Sequence, residues 1–204
     1  RGGEFDLVLA DGTQVWLNAE SRLRYPVEFS GKERKVVLEG EAYFQVKKNP
    51  SLPFRVEIRN QVIEVLGTEF NVSGYKDEVH VYTTLVNGKV KVATTGRDMT
   101  LLPGEQCVLD TGDGSMIRQQ VDVDKIISWK KGKFILEEQT LEQIMQKLAR
   151  WYDITVFYQN PALKNKVFKG SVPRYAELQQ VLNILEKTGE VQFHIQNRTV
   201  IVKE

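Results

Sequence analysis

The residues of this 204-residue chain that are able to do chemistry are few and scattered. A hydrolytic triad needs a nucleophile beside an imidazole. The two histidines, His80 and His194, each lie inside a run of alternating apolar and polar residues that reads as a strand. A lone histidine in such a run is a solvated or hydrogen-bonded strand residue, because catalysis needs several groups in defined mutual roles. Cys107 is the one cysteine. It excludes an internal disulfide and a cysteine-based zinc site, and within Gln106-Cys107-Val108-Leu109 it reads as a small core residue. Two carboxylate pairs, Glu39/Glu41 and Asp122/Asp124, have the spacing of two that turns both acids to one side of a strand, as polysaccharide-processing enzymes use them. The first pair flanks a glycine and the second falls in a linker-like stretch, so turn caps and solvated faces account for both. Asp110 and Asp113 lie in a turn-rich loop without the acid spacing of a calcium loop. No catalytic residue, cofactor or metal is predicted.

Bulk composition narrows the class further. With 41% hydrophobic and 27% charged residues the chain is an ordinary globular protein, and no apolar run approaches the ~18 residues of a membrane span. Lysine and arginine number 28 against 27 acids, so there is no global field to gather nucleic acid or anionic lipid. The cluster Lys130-Lys131-Gly132-Lys133 belongs to a C-terminal part with 13 basic and 10 acidic residues from Asp122 on, an excess too small for phosphate-backbone binding. The chain opens on Arg1-Gly2-Gly3-Glu4-Phe5 with neither an initiator methionine nor a signal-type segment, and is read as a piece of a longer protein whose targeting elements lie upstream.

The elements that would position any site fall into two sets. In the first half, Leu9–Leu17, Val36–Val46, Glu64–Val72, Thr84–Val92 and Leu101–Leu109 each lead apolar residues into a glycine and leave it on a period of two. The glycines, Gly12, Gly40, Gly67, Gly88 and Gly104, read as hairpin-like corners. Their spacings of 28, 27, 21 and 16 are too irregular for a strict repeat, which leaves a loose solenoid or a two-sheet sandwich open. Residues 30–35 and 47–51 read as exposed turns between the corners.

After a linker at 122–132 the periodicity changes. Thr140 with Gln143 forms a capping-box pattern. Leu141, Ile144, Met145, Leu148, Trp151 and Tyr152 then make one apolar stripe at steps of three and four, which predicts a helix. A second stripe, Leu178, Val181, Leu182 and Leu185, ends before Gly189 in the manner of a left-handed cap. Strand candidates precede and follow each helix, and residues 199–203 pair with 191–195 through a turn at Asn197-Arg198. The expected architecture is a mainly β domain over 1–121, followed over 122–204 by a small α+β domain of order βαββαββ.

The ordered set LADGTQVWLNAESRLRYP, LEGEAYFQVKKNPSLPFRVE, IEVLGTEFNV, LVNGKVKV and LLPGEQ resembles the FecR family of bacterial anti-sigma regulators over about residues 2–121. The segment DKIISWKKGKFILEEQTLEQIMQKLARWYDITV with the later FKGSV is similar to the domain that follows in Bacteroidetes members, itself like the short N-terminal domain of secretins and TonB-dependent receptors. The resemblance implies a regulator without enzymatic activity, the periplasmic portion of a single-pass inner-membrane protein. Its implied partners are the signalling domain of a TonB-dependent outer-membrane receptor and, through a cytoplasmic segment absent from this sequence, an extracytoplasmic-function sigma factor. The membrane is reached only through an upstream helix outside this sequence, and nucleic acid is not a partner.

The partner-binding segment expected is KVFKGSV: Lys166, Val167, Phe168, Lys169, Gly170, Ser171 and Val172. It reads either as an edge strand open to strand addition or as an internal strand with a bulge at Gly170. Phe168→Pro is expected to abolish receptor capture and leave the first domain folded. Two other readings compete. Trp16, Tyr43 and Tyr82 would line the groove of a glycan-binding β domain, and an envelope-assembly scaffold would self-associate.

Overall fold

The computed structural model describes residues 2–204. They form two compact units, Glu4–Ile127, and Ser128–Glu204 together with Gly2 and Gly3.

The first unit contains β1 (Phe5–Val8), β2 (Gln14–Leu17), β3 (Arg22–Arg24), β4 (Arg34–Gln45), β5 (Phe54–Ile58) and β6 (Gln61–Val65). It continues with β7 (Glu69–Gly74), β8 (His80–Asn87), β9 (Val90–Thr94), β10 (Arg97–Leu101), β11 (Glu105–Asp110), β12 (Met116–Gln120) and a one-turn helix α1 (Val123–Ile126). One sheet has the order β1-β2-β4-β7-β8-β11-β12, and the other β3-β4-β5-β6-β9-β10. The long β4 belongs to both. Within this unit the β4–β5 pairing is parallel and the other ladders are antiparallel, so the unit is a sandwich bent towards a barrel rather than a solenoid of stacked parallel coils.

Strand alternation explains the shared core. In β5 and β6 every second side chain is buried, as the pleat of a half-buried sheet requires. Val36, Phe54, Val56 and Ile63 of one sheet meet Phe44, Phe70, Val81 and Leu85 of the other in a single apolar cluster. Phe44 stacks on Phe70 with ring centres 5.1 Å apart and also approaches Phe54 at 6.1 Å, joining the sheets. A buried hydrogen bond from Gln61 Nε2 to Thr83 Oγ1, 2.8 Å, crosses the same gap.

The glycine corners are not all hairpins. Gly12 turns the β1–β2 hairpin, but Gly40, Gly67, Gly88 and Gly104 mark the places where the chain passes from one sheet to the other. Gly40 lies inside β4 at φ +97°, and a Cβ there would sit 2.5 Å from Ser21 Oγ and 2.9 Å from Ser21 Cα. The Ser21 hydroxyl fills that space and accepts the Glu41 N–H at 2.8 Å. The bend also separates Glu39 from Glu41, since the strand continues in another sheet between them.

Residues 34 and 35, expected in an exposed turn, instead open β4, and Arg34 is fully buried. Its Nη1 donates to Asp11 Oδ2 at 2.6 Å and to the Lys47 carbonyl at 2.8 Å, while Nε donates to the Leu52 carbonyl at 2.9 Å. Thr13 Oγ1 donates to Asp11 and accepts the Lys47 N–H. One guanidinium therefore ties the Asp11-Gly12 turn to the proline-bounded loop 47–53.

The second unit contains β13 (Lys133–Ile135), β14 (Gln139–Thr140), α2 (Leu141–Tyr152), β15 (Thr155–Tyr158), β16 (Val167–Phe168), β17 (Ser171–Pro173), α3 (Leu178–Glu186), β18 (Gln192–Gln196) and β19 (Thr199–Lys203). With β13–β14 and β16–β17 taken as interrupted strands, this is the βαββαββ order read from the sequence. The Thr140–Gln143 capping box is formed in both directions, at 3.0 and 3.3 Å. The stripe Leu141, Ile144, Met145 and Leu148 is buried against Val181, Leu182 and Leu185 of α3 and Val200 and Val202 of β19. β18 and β19 form the hairpin expected at Asn197-Arg198, with Asn197 at φ 55°, and β15 lies parallel to β19.

The stretch 122–132, read as a linker, is built of short helical turns. Asp122 caps α1 by accepting from the Asp124 and Lys125 N–H groups, and a 3-10 turn follows at Ile127–Lys131. That turn buries Trp129, whose ring, with those of Phe134 and Trp151, surrounds the buried Arg174 at 5.6, 5.2 and 4.0 Å. A guanidinium against aromatic faces is held by their negative quadrupoles.

Three substitutions test this account by urea denaturation of the chain. Gly40→Ala, which forces a β-carbon onto Ser21 at positive φ, is expected to cost about 2–4 kcal/mol. Phe168→Ala is expected to cost about 3–5 kcal/mol, whereas Val167→Ala, at an exposed neighbour, stays within about 0.5 kcal/mol of the parent. Equal effects at 167 and 168 would contradict the assigned facing of β16.

Candidate interaction site

The groups singled out for chemistry do not converge. His80 stands 3.5 Å from Asp110 at the end of β8, and His194 is exposed on β18. Cys107 is buried in β11, where desolvation pushes its thiol up to about 11; a protonated, enclosed thiol is no nucleophile at neutral pH. Glu39 bonds Arg24 and Lys76, each at 3.0 Å, and their hydrogen bonds hold its carboxyl below the usual value. Glu41 accepts from Asn18 and Asn71 instead. Asp110 and Asp113 accept backbone N–H groups of their own loop. Among the described residues no group of three or more metal-ligating side chains comes together.

The aromatic groove expected of a glycan-binding domain is not built as read. Trp16 meets Tyr43 edge-on with ring centres 5.6 Å apart. Tyr43 itself is buried and its hydroxyl donates to Glu69 at 2.8 Å, so desolvation and that carboxylate raise its pKa. Tyr82 packs beside His80 two strands away. Sequence patterning missed a polar cavity at one end of the sandwich, because its residues come from four separate strands and loops.

Lys166–Val172 combines its two sequence readings. The segment is paired on one side only: β16 with β14 and β17 with β13, and no strand lies on its other side among the described residues. Gly170, at φ +105°, divides the two pieces. The carbonyls of Lys166 and Gly170 accept from Leu141 and Leu136, and the Arg174 N–H donates to Gly132. Main-chain groups alternate sides along an antiparallel strand, so Val167, Lys169 and Ser171 present theirs to the open side. The side chains divide differently. Phe168 and Val172 are buried in the core, whereas Val167, Lys169, Gly170 and Ser171 are exposed. Phe168→Pro is therefore not a clean probe of binding, because it strikes the core of the unit that would bind.

Other open edges among the described residues of this unit include β15 and β18, which flank β19. Phe157 on β15 is 58% exposed and stands level with Ile201 of β19, which in turn faces His194 of β18.

Comparison with known proteins follows the same division. The model of the FecR protein family matches residues 1–91, and that of the FecR C-terminal region matches residues 133–202. Two crystal structures of a candidate anti-sigma factor from Parabacteroides distasonis, at 1.65 and 2.50 Å, superpose with TM-scores of 0.91 and 0.90. Each is 28% identical, over all of this chain and 95% of theirs. No curated protein matches the chain. The residues between the two matched stretches include β10–β12, which complete the sheets that the first match begins. With both units matched in order and a similar structure along its whole length, the chain belongs to the FecR family of anti-sigma regulators, which are not enzymes.

Proposed function

We propose that this chain is the periplasmic sensor portion of a single-pass inner-membrane anti-sigma regulator. It binds the signalling domain of a TonB-dependent outer-membrane receptor, and the engaged state passes through a membrane helix and a cytoplasmic segment outside this sequence to an extracytoplasmic-function sigma factor. Membership of an anti-sigma family supports the regulatory end of this reading. No helix among the described residues is long and apolar enough to cross a membrane.

The observation that carries the receptor end is the half-paired strand of the second unit. Val167, Lys169 and Ser171 offer main-chain donors and acceptors to a strand that adds alongside. The exposed side chains of the same residues supply selectivity, and Phe168 and Val172 anchor the segment from behind. Proline at an outward-facing position removes a donor from the open side and leaves the inner ladder its own bonds.

The expected result is that Lys169→Pro and Val167→Glu each weaken capture of the signalling domain of a receptor encoded beside this gene by about tenfold or more, the equivalent of about 1.4 kcal/mol. Titration calorimetry reads the affinity, and an unchanged urea midpoint shows that the unit is folded. Undiminished capture in both variants would remove this edge from the contact, and loss in Phe157→Glu alone would transfer it to β15.

A further inference from the structure

The first unit carries a surface cavity of about 320 Å³ that the proposed receptor contact does not use, at the lower end of the ~300–1,000 Å³ of ligand pockets. A row of polar side chains crosses its floor. Gln14 on β2 stands opposite Gln45 on β4, Gln45 opposite Glu69 on β7, and Glu69 opposite Asn87 at the end of β8. Neighbouring strands lie about 4.8 Å apart, so Gln14 and Gln45 stand one strand apart, and the Glu69 carboxylate, at an irregularity in the β7–β8 ladder, separates them from Asn87. Lys47 and Lys48, which follow β4, stand beside them.

Backbone pairing restricts what can bind. β2 lies between β1 and β4, β4 continues to β7, β7 to β8, and β8 to β11. Each of β2, β4, β7 and β8 has a neighbour on both sides among the described residues, so a peptide finds little free ladder here and recognition falls mainly to side chains. Primary amides both donate and accept, which is what a hydroxyl group also does. Val46 is the one apolar side chain at the cavity, and it is buried, so an apolar ligand gains little here.

Charge restricts the ligand further. Glu69 is engaged on both oxygens, by the Tyr43 hydroxyl at 2.8 Å and by Gln45 Nε2 at 3.3 Å. Lys35, Lys76 and Lys91 of the same unit each hold a carboxylate at 2.6–3.0 Å. Lys47 and Lys48 hold none among the described residues, so two ammonium groups beside the amide row are left to attract an anion.

We propose that this cavity binds a carboxylated saccharide, its hydroxyls on Gln14, Gln45 and Asn87 and its carboxylate on Lys47 and Lys48. The test is a titration of isotope-labelled protein with trigalacturonate, followed by the side-chain amide resonances of the three amide residues. Those resonances are expected to move together. The double change Lys47→Gln, Lys48→Gln, at two exposed positions that preserve the urea midpoint, is expected to weaken the affinity about tenfold or more, the scale of a lost charge-assisted hydrogen bond. The neutral galactose trisaccharide is expected to bind correspondingly more weakly. Absence of a response, equal binding of the neutral sugar, or the same shifts with inorganic phosphate or an acidic peptide would each overturn the assignment.

Discussion

The first unit depends on a single strand that belongs to two sheets. β4 runs for 12 residues, and its first half pairs with β3 and β5 while its second half pairs with β2 and β7. A continuous strand changes sheets only by bending, and the bend falls at Gly40, where Ser21 occupies the place of a side chain and satisfies the next N–H. Because both sheets share this strand, their separation and their angle are set together, and the Phe44, Phe54 and Phe70 cluster can close between them. At the start of the same strand, buried Arg34 gathers two loops and the Asp11 carboxylate. A buried ion pair contributes little net stability, since desolvation offsets its attraction. Its geometric demand is strict, however, and it fixes the loops that border the polar cavity.

The second unit solves a different problem, that of making a core from about 75 residues and very short strands. Its helices supply most of the apolar surface, and the strand pairs close the rim. Phe168 and Val172, four residues apart and so on one face, both point into the core on either side of the break at Gly170. Arg174, two residues beyond Val172, is enclosed by Trp129, Phe134 and Trp151, which join the 3-10 turn, β13 and α2. One cation thus lies against three elements at once.

What was legible in the sequence was what local chemistry decides. Thr140 and Gln143 announced a helix start because a capping box involves residues only three apart. The Asn197-Arg198 hairpin and the apolar stripes were readable for the same reason. Gly40 was recognised as a corner but not as a bend between sheets, because that role depends on Ser21, which lies 19 positions earlier in the chain. Arg34 was misplaced because its environment comes from Asp11, Lys47 and Leu52, none of them sequence neighbours. The amide row Gln14, Gln45, Asn87 was invisible for a stronger reason: only the register of four strands brings it together. The segment 166–172 reads either as an open edge strand or as an internal strand with a bulge at Gly170, and no local pattern chooses between them, because an open side is a property of what fails to pair with it.

The two faces of the chain's surface chemistry bear on how such a protein recognises anything. The outer side of the β3–β10 sheet is a ladder of cross-strand ion pairs, Lys35 with Glu57, Arg55 with Glu33 and Glu64, and Lys91 with Asp98. Charge there is largely answered by charge close by, and the hydrogen bond from Lys91 holds the Asp98 carboxyl below its usual range. Such a face is screened by water and salt and gives a partner little to gain. The open side of β16 and β17 is the opposite case. It is two plus three residues long, interrupted by Gly170 and ended by Pro173, which has no N–H. An edge so short and broken forms too few main-chain bonds to hold a second copy of itself, which is how exposed edges are kept from aggregating. A partner that brings a longer strand together with side-chain contacts of its own is not limited in that way. Brevity of the edge therefore favours selectivity over strength, as a reversible signalling contact requires.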